Sequence, residues 1–227
     1  IEAVRLAREG NVGALMKGSL HTDELMGAVV HRDKGLRTES RMSHVFVMDV
    51  PTYKFPLIIS DAAINIAPSL LEKQYITQNA IYMAHAVGIE DPKVALLAAS
   101  ESVMLDMPAT MDAASLAKMA DRGQIAGATV DGPLAFDNAI SAEAARIKKI
   151  ESPVAGKADV LIVPNIEAGN MMAKQLAYLG AAEAAGLVLG ARVPIILTSR
   201  ADSPHARLAS AAMAVLMNVE QRSRLGE

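Results

Sequence analysis

Short apolar runs alternate with helical patterns along nearly the whole of this 227-residue chain, and that alternation limits the sheet it can build. The runs are Ala14 to Met16, His44 to Val50, Leu57 to Ser60, Val94 to Ala99, Ala128 to Val130, Val160 to Val163 and Val193 to Thr198. Most are separated by residues with helical apolar spacing. Strands joined through crossover helices pair in parallel. An α/β chain with a largely parallel sheet is therefore expected. One pair departs from this. Leu187-Val188-Leu189 and Ile195-Ile196-Leu197 are separated only by Gly190 to Pro194. That is too short for a parallel crossover. Either an antiparallel element or a strand passing between domains is expected there.

Local signals place the helices. Ser69 and Glu72 form a capping box, and the helix runs to about Ala86 with Gly88 as its stop. Thr22 is expected to cap a helix with Asp23 and Glu24 in its first turn and an apolar face of Leu25, Met26, Val29 and Val30. Thr110 is expected to cap a helix that ends at Gly123. Asp131-Gly132-Pro133 is either only a strand-end turn or a part of the site, and Asp137 or Asn138 reads as the start of a helix over Glu143 to Lys149. Ile1 to Glu9 is a first short helix. A last helix runs from Pro204 to about Asn218, after which the chain is expected to fray.

Composition narrows the function classes. The chain is 52% hydrophobic but only 3% aromatic, with 13 Met and no Trp, so the core is built of Ala, Val, Ile, Leu and Met. Few aromatics, a net charge of −3 and no long basic run argue against a nucleic-acid partner. With no Cys there is no disulfide, thiolate metal site or cysteine nucleophile, which fits a reducing cytoplasm. His21, His31 and His85 lack paired ligand spacing, so no metal site is expected. No apolar run reaches the roughly 18–20 residues of a membrane span, and no signal peptide is visible. The first residues read as the middle of a helix, so a preceding segment is expected to be missing.

The polar residues that carry chemistry sit where strands end. After Val160 to Pro164 come Asn165, Glu167, Gly169 and Asn170, which either line a cleft or cap the following helix. After Val193 to Thr198 come Ser199, Arg200 and Asp202, with Ser203 as N-cap and Pro204 at the first helical position. A helix N-terminus favours an anion, and a guanidinium matches a phosphate. Arg200 therefore either holds an anion or pairs with Asp202 or another carboxylate. Lys17, in Lys17-Gly18-Ser19, is either a third anion ligand or a solvated strand-end lysine. Arg37 and Arg41 lie in the polar connection before the strand at His44.

These residues, in this order, resemble the phosphate acetyltransferase and phosphate butyryltransferase family. The likeness rests on Met16-Lys17-Gly18 with Thr22, Gly35-Leu36-Arg37 with Ser43-His44, Met111 to Ile125, and Asp131-Gly132-Pro133 with Asp137. Ala158-Asp159-Val160-Leu161 with Ala168-Gly169-Asn170, and Leu197 to Ser203, complete it. It is nearest to the phosphate acyltransferase part of bifunctional proteins with an enoyl-CoA hydratase-like domain in front. The resemblance implies a two-domain, three-layer αβα fold like that of isocitrate and isopropylmalate dehydrogenases. On this basis residues 1–50 belong to one domain, 51–186 form an inserted domain, and 187–227 return to the first.

The implied reaction exchanges an acyl group between CoA and phosphate. The CoA thiolate attacks directly in a ternary complex, without an acyl-enzyme. CoA is then a substrate, no cofactor is needed, and a cytoplasmic homodimer is expected. Ser199 and Arg200 match the family's Ser-Arg pair, with Arg200 on the phosphate and Ser199 donating to the leaving group or the acyl oxygen. Arg37 is the second cation and Arg41 a third candidate. Family acetyltransferases use an aspartate several residues past the Ser-Arg pair, but Pro204-His205-Ala206-Arg207 holds no carboxylate. The base thus stays open between Asp202 and His205. The pattern Ser-Arg-Ala-Asp-Ser is closer to the butyryltransferases, so the acyl group need not be acetyl. A different class remains open: a non-catalytic acyl-CoA-sensing domain like that at the end of large malic enzymes.

Overall fold

Two strands, Leu57–Ser60 and Val160–Ile162, are buried at every position. Continuous burial means that both faces of the sheet are covered. The computed structural model describes residues 1–197 and 203–225. The first part of the chain supplies α1 (Glu2–Arg8), β1 (Leu15–Met16), α2 (Thr22–Val29), β2 (Ser43–Asp49), β3 (Leu57–Ser60) and α3 (Leu70–Ala86). Next come β4 (Lys93–Leu97), α4 (Pro108–Asp121), β5 (Thr129–Leu134), α5 (Phe136–Ile140) and α6 (Ala142–Ile147). The last part supplies β6 (Val160–Ile162), α7 (Ile166–Tyr178), β7 (Glu183–Leu189), β8 (Ile195–Ile196) and α8 (Pro204–Leu225).

The strands form one mixed sheet in the order β1-β8-β7-β2-β3-β6-β4-β5. β3, β6, β4 and β5 are mutually parallel, and β1 is parallel to β8. Between these groups β2 is antiparallel to both neighbours. It pairs with β3 from Val45↔Ser60 to Met48↔Leu57, and with β7 from Ser43↔Leu189 to Asp49↔Glu183. β7 then turns back on β8 in the antiparallel element expected from the short connection, with Val188 opposite Ile195. Gly190 in that connection has φ +87° and meets the Arg41 carbonyl. The consequence is directional. β3, β6, β4 and β5 finish at one end of the sheet, here the upper end, whereas β1 and β8 finish at the lower end.

Helices cover both faces in a three-layer α/β arrangement. α3, α4 and α8 pack one face through Ile76, Ile81, Met83, Leu116 and Met217. α5 and α7 cover the other face of the parallel half, around Leu57, Ile59, Leu161 and Ala173. α1 and α2 cover the β1–β8 edge with Val4, Ala7, Leu25 and Val29. The domain boundaries expected at 50/51 and 186/187 fall just after β2 and inside β7.

Several local expectations are corrected. Thr110 does not cap α4. It is buried in the first turn, its hydroxyl bonded to Met104 and Met107, and the helix starts at Pro108. Thr22 is the first helical residue, behind His21. Asp131-Gly132-Pro133 is not a turn but the middle of β5, an edge strand, where a missing N–H is tolerated. The helix expected from Asp137 or Asn138 through Lys149 is split into α5 and α6, with Ser141 capping the second. α8 runs to Leu225 rather than fraying after Asn218. Its last turns are tied by Arg224, 3.7 Å from Glu220 and stacked 3.5 Å from the centroid of the Tyr82 ring.

The expected capping box is present. Ser69 N–H donates to Glu72 Oε2 at 2.9 Å, and Ser69 Oγ accepts from Glu72 N. The backbone N–H of Ser69, then its hydroxyl, hold the Glu72 carboxyl below the usual glutamate range, with Arg41 adding a smaller attraction. A depressed carboxyl stabilises the fold above its unfolded-state pKa of about 4.3, and that contribution fades as pH falls through the lowered folded value. Ser69→Ala should cost about 1 kcal/mol in denaturant unfolding at neutral pH. The gap to the parent protein should narrow on acidification below about pH 4.

Gly169 supplies a second check. A Cβ there would lie 2.7 Å from the Asp61 carbonyl oxygen and 2.7 Å from Val163 Cγ2. The loop backbone cannot yield cheaply, so Gly169→Ala should lower unfolding stability by about 1–3 kcal/mol.

Candidate active site

In open α/β sheets ligands bind beyond the carboxyl ends of the strands. The antiparallel turn of β7 onto β8 gives this sheet two such edges. At the upper end, the connection before β2 and the loop after β3 meet the starts of α3 and α7. A groove of about 420 Å³ opens there, with Arg37 and Arg41 on its polar side and Met26, Val30, Leu71 and Tyr75 on its apolar side. Arg37 is anchored by its backbone. It bridges to Ala191, and the Leu36 carbonyl accepts from Arg192 N–H at 2.9 Å. Among the described residues its guanidinium enters no ion pair.

Arg41 is half exposed, and its Nη1 lies 3.0 Å from Glu72 Oε1. Its Nε donates to Asn65 Oδ1 at 2.7 Å. Asn65 is 3% exposed and Asp61 2% exposed. Asn65 Nδ2 donates to Asp61 Oδ2 and to the Met42 carbonyl. Asp61 Oδ1 accepts from Ala63 N and Ile64 N at 2.8 and 2.9 Å. The carboxylate is thus buried but fully bonded.

α7 braces this loop from the other side. Asn165 caps α7, its Oδ1 accepting from Ala168 N at 2.9 Å. Gly169 lets α7 approach closely, and what approaches is the chain's own Asp61–Ala62 backbone. Asn170 Nδ2 donates to the Ala62 carbonyl at 3.1 Å. Glu167 is exposed and borders a shallow depression with Ile166, Asn170 and Met171.

The lower end is different in kind. Lys17 is buried, and its Nζ turns back on its own loop, donating to the Leu20 carbonyl at 3.2 Å. Ser199, Arg200 and Asp202 lie outside the described residues. The chain resumes with Ser203, whose Oγ accepts from Ala206 N at 3.1 Å at the start of α8. His205 is exposed, with Nδ1 2.8 Å from Glu183 Oε2. Beside it a groove of about 610 Å³ is lined by Val47, Asp49, Ala185 and Met213 among others.

The two strand ends expected to share one gap, after β6 and β8, are not neighbours. β7, β2 and β3 lie between them, and the two run in opposite directions. Among the described candidates, Arg37, Arg41, Asn165, Glu167, Gly169 and Asn170 gather at the upper end, and Lys17 and His205 at the lower. Sequence reading missed Asp61 and Asn65. The only available signal was an acidic residue directly after the strand Leu57–Ser60, with an Asn four positions on.

No helix among the described residues is long and apolar enough to cross a membrane. The sequence is 60% identical over 222 residues to a phosphate acetyltransferase of Rhizobium meliloti, covering 98% of this chain and 70% of that protein. It is 57% identical over 225 residues to a phosphate acetyltransferase of Rickettsia prowazekii, covering 99% of this chain and 64% of that one. In structure it is similar to a branched-chain phosphotransacylase from Enterococcus faecalis, with TM-score 0.87 and 35% identity over 96% of this chain and 78% of that one. The chain thus spans about two thirds of the length of the two acetyltransferases. The model of the family described as Phosphate acetyl/butaryl transferase matches residues 1–215, and the chain belongs to that family.

Proposed function

We propose that this chain forms part of a phosphate acyltransferase exchanging an acyl group between CoA and inorganic phosphate. The family match over residues 1–215 carries the reading. In the direction of acyl-CoA formation, the CoA sulfur attacks the carbonyl carbon of the acyl phosphate in a ternary complex. The C–S bond forms, the C–O bond to phosphate breaks, and phosphate leaves with the electron pair. The thiol, with an ordinary pKa of about 8.5, gives its proton to a base. In this reading the base is Asp202 or His205. Arg200 holds the phosphate, and Ser199 donates to the leaving group or the acyl oxygen.

Arg37 and Arg41 take a second negatively charged part of the substrates. Leu197, the last described residue before Ser199, lies five steps along the chain from Arg192, which is bonded to Leu36. At about 3.3 Å per residue that is about 17 Å, a span that an extended acyl-CoA can bridge. CoA serves as a substrate, and no resident cofactor is assigned. A cytoplasmic homodimer, joined in the full protein to an enoyl-CoA hydratase-like domain, belongs to the same proposal.

Phosphate-dependent release of CoA thiol from acyl-CoA by the full-length protein tests the activity. Arg200→Ala should lower turnover roughly 100-fold, about 3 kcal/mol of transition-state stabilisation. Unchanged turnover removes Arg200 from the chemistry. Binding of acyl-CoA without any phosphate-dependent thiol release would favour a sensing domain instead.

A further inference from the structure

We infer that Asp61 and Asn65 are positioning residues that aim Arg41 at a phosphate group bound in the upper groove. The inference rests on the acyl-transfer reading, which supplies the phosphate-bearing ligands.

The hydrogen bonds form a directed chain. Asp61 carries a charge at 2% exposure, a costly placement unless every lone pair is used. It accepts from three backbone N–H groups, of Ala63, Ile64 and Asn65, and from the Asn65 side chain. Both amide hydrogens of Asn65 are engaged, one by Asp61 and one by the Met42 carbonyl. The amide therefore cannot flip without losing both bonds. Its oxygen is left facing one donor, Arg41 Nε, at 2.7 Å.

This arrangement suits a guanidinium kept for a ligand. Arg41 touches a neutral acceptor at Nε, so its charge is not cancelled there. The remaining partner, Glu72, is already committed to the Ser69 cap, and the Arg41 side chain is 50% exposed. A half-exposed pair of this kind contributes little and is readily exchanged. Fixing Nε holds the outer edge of the fork toward the groove, where a phosphate oxygen pair can take the place of Glu72 Oε1 on Nη1. Arg37 lies on the same groove, and the apolar wall of Met26, Val30, Leu71 and Tyr75 lowers the local dielectric. α7 supports the chain from behind, through Gly169 against the Asp61–Ala62 backbone and Asn170 on the Ala62 carbonyl.

The ligand chemistry is a phosphate group, and it has two sources, inorganic phosphate or the phosphates of CoA. The test measures KM and, by titration calorimetry, Kd for each separately in the full-length protein. Asn65→Ala, Arg41→Ala and the double variant are compared with the parent. Loss of one aimed charge-assisted hydrogen bond should weaken binding of one of the two ligands about ten-fold, with turnover much less changed. In the Arg41→Ala background, Asn65→Ala should then add nothing, because its effect runs through Arg41. Equal weakening in both backgrounds, a fall in turnover alone, or no change overturns the assignment.

Arg41→Lys keeps the charge, loses the Nε donor and leaves Asp61 and Asn65 in place, so it answers the question even if Asn65→Ala does not fold. It should weaken the same ligand as Arg41→Ala does, and parent-like binding overturns the inference. A parent protein that binds CoA and phosphate without exchanging acyl groups counts against the acyl-transfer reading alone. A parent that binds neither ligand removes the inference as well.

Discussion

The antiparallel pairings of β2 with β3 and β7, and of β7 with β8, decide at which end of the sheet each loop lies. Seven consecutive registers, from Ser43↔Leu189 to Asp49↔Glu183, lock β2 to β7, and four more lock it to β3. These two antiparallel pairings leave β3 and β7 running the same way, and the antiparallel turn of β7 onto β8 then sends β8 and β1 to the opposite end. An all-parallel sheet would have one edge where strands finish and helices begin. This one has two, facing opposite ways.

That division explains the unlike character of the two edges. Five strands, β3, β4, β5, β6 and β7, end at the upper edge, and the loops there fold on one another. The loop after β3 packs against the start of α7, caps itself with a buried carboxylate and reaches Arg41 through one amide. β1 and β8 are two residues each and end at the lower edge. Lys17 there is occupied by its own loop carbonyls, so it offers an incoming anion less than its position in the sequence suggests. The lower edge draws its interest instead from the start of α8, where the helix dipole favours negative charge.

Much of the fold was legible because short-range physics settles it. The Ser69 box, the Gly88 stop and the reversal over Gly190 to Pro194 each follow from a few adjacent residues. Misreadings arose where tertiary context overrides a local preference. Gly132-Pro133 carries a turn signal, yet at the edge of a sheet the missing donor has no partner to disappoint. Thr110 has a good capping hydroxyl, but Pro108 begins the helix earlier and the hydroxyl turns to Met104. The link from Arg41 through Asn65 to Asp61, braced by Asn170, was invisible for a different reason. Its members are scattered from position 41 to position 170, and no periodicity connects them. Recognition of Ser199, Arg200 and Asp202 rested on motif resemblance, and they fall outside the described residues.

The central claim is that a family member of this architecture grips the phosphate-bearing parts of its substrates from the upper groove while acyl transfer is completed beyond β8. A crystal structure of the full-length protein with CoA and phosphate bound tests it most directly. The account predicts a phosphate group within hydrogen-bonding distance of Arg41 and Arg37, with Asn65 Oδ1 still on Arg41 Nε. Both ligands bound elsewhere, with that groove holding only water, would contradict it.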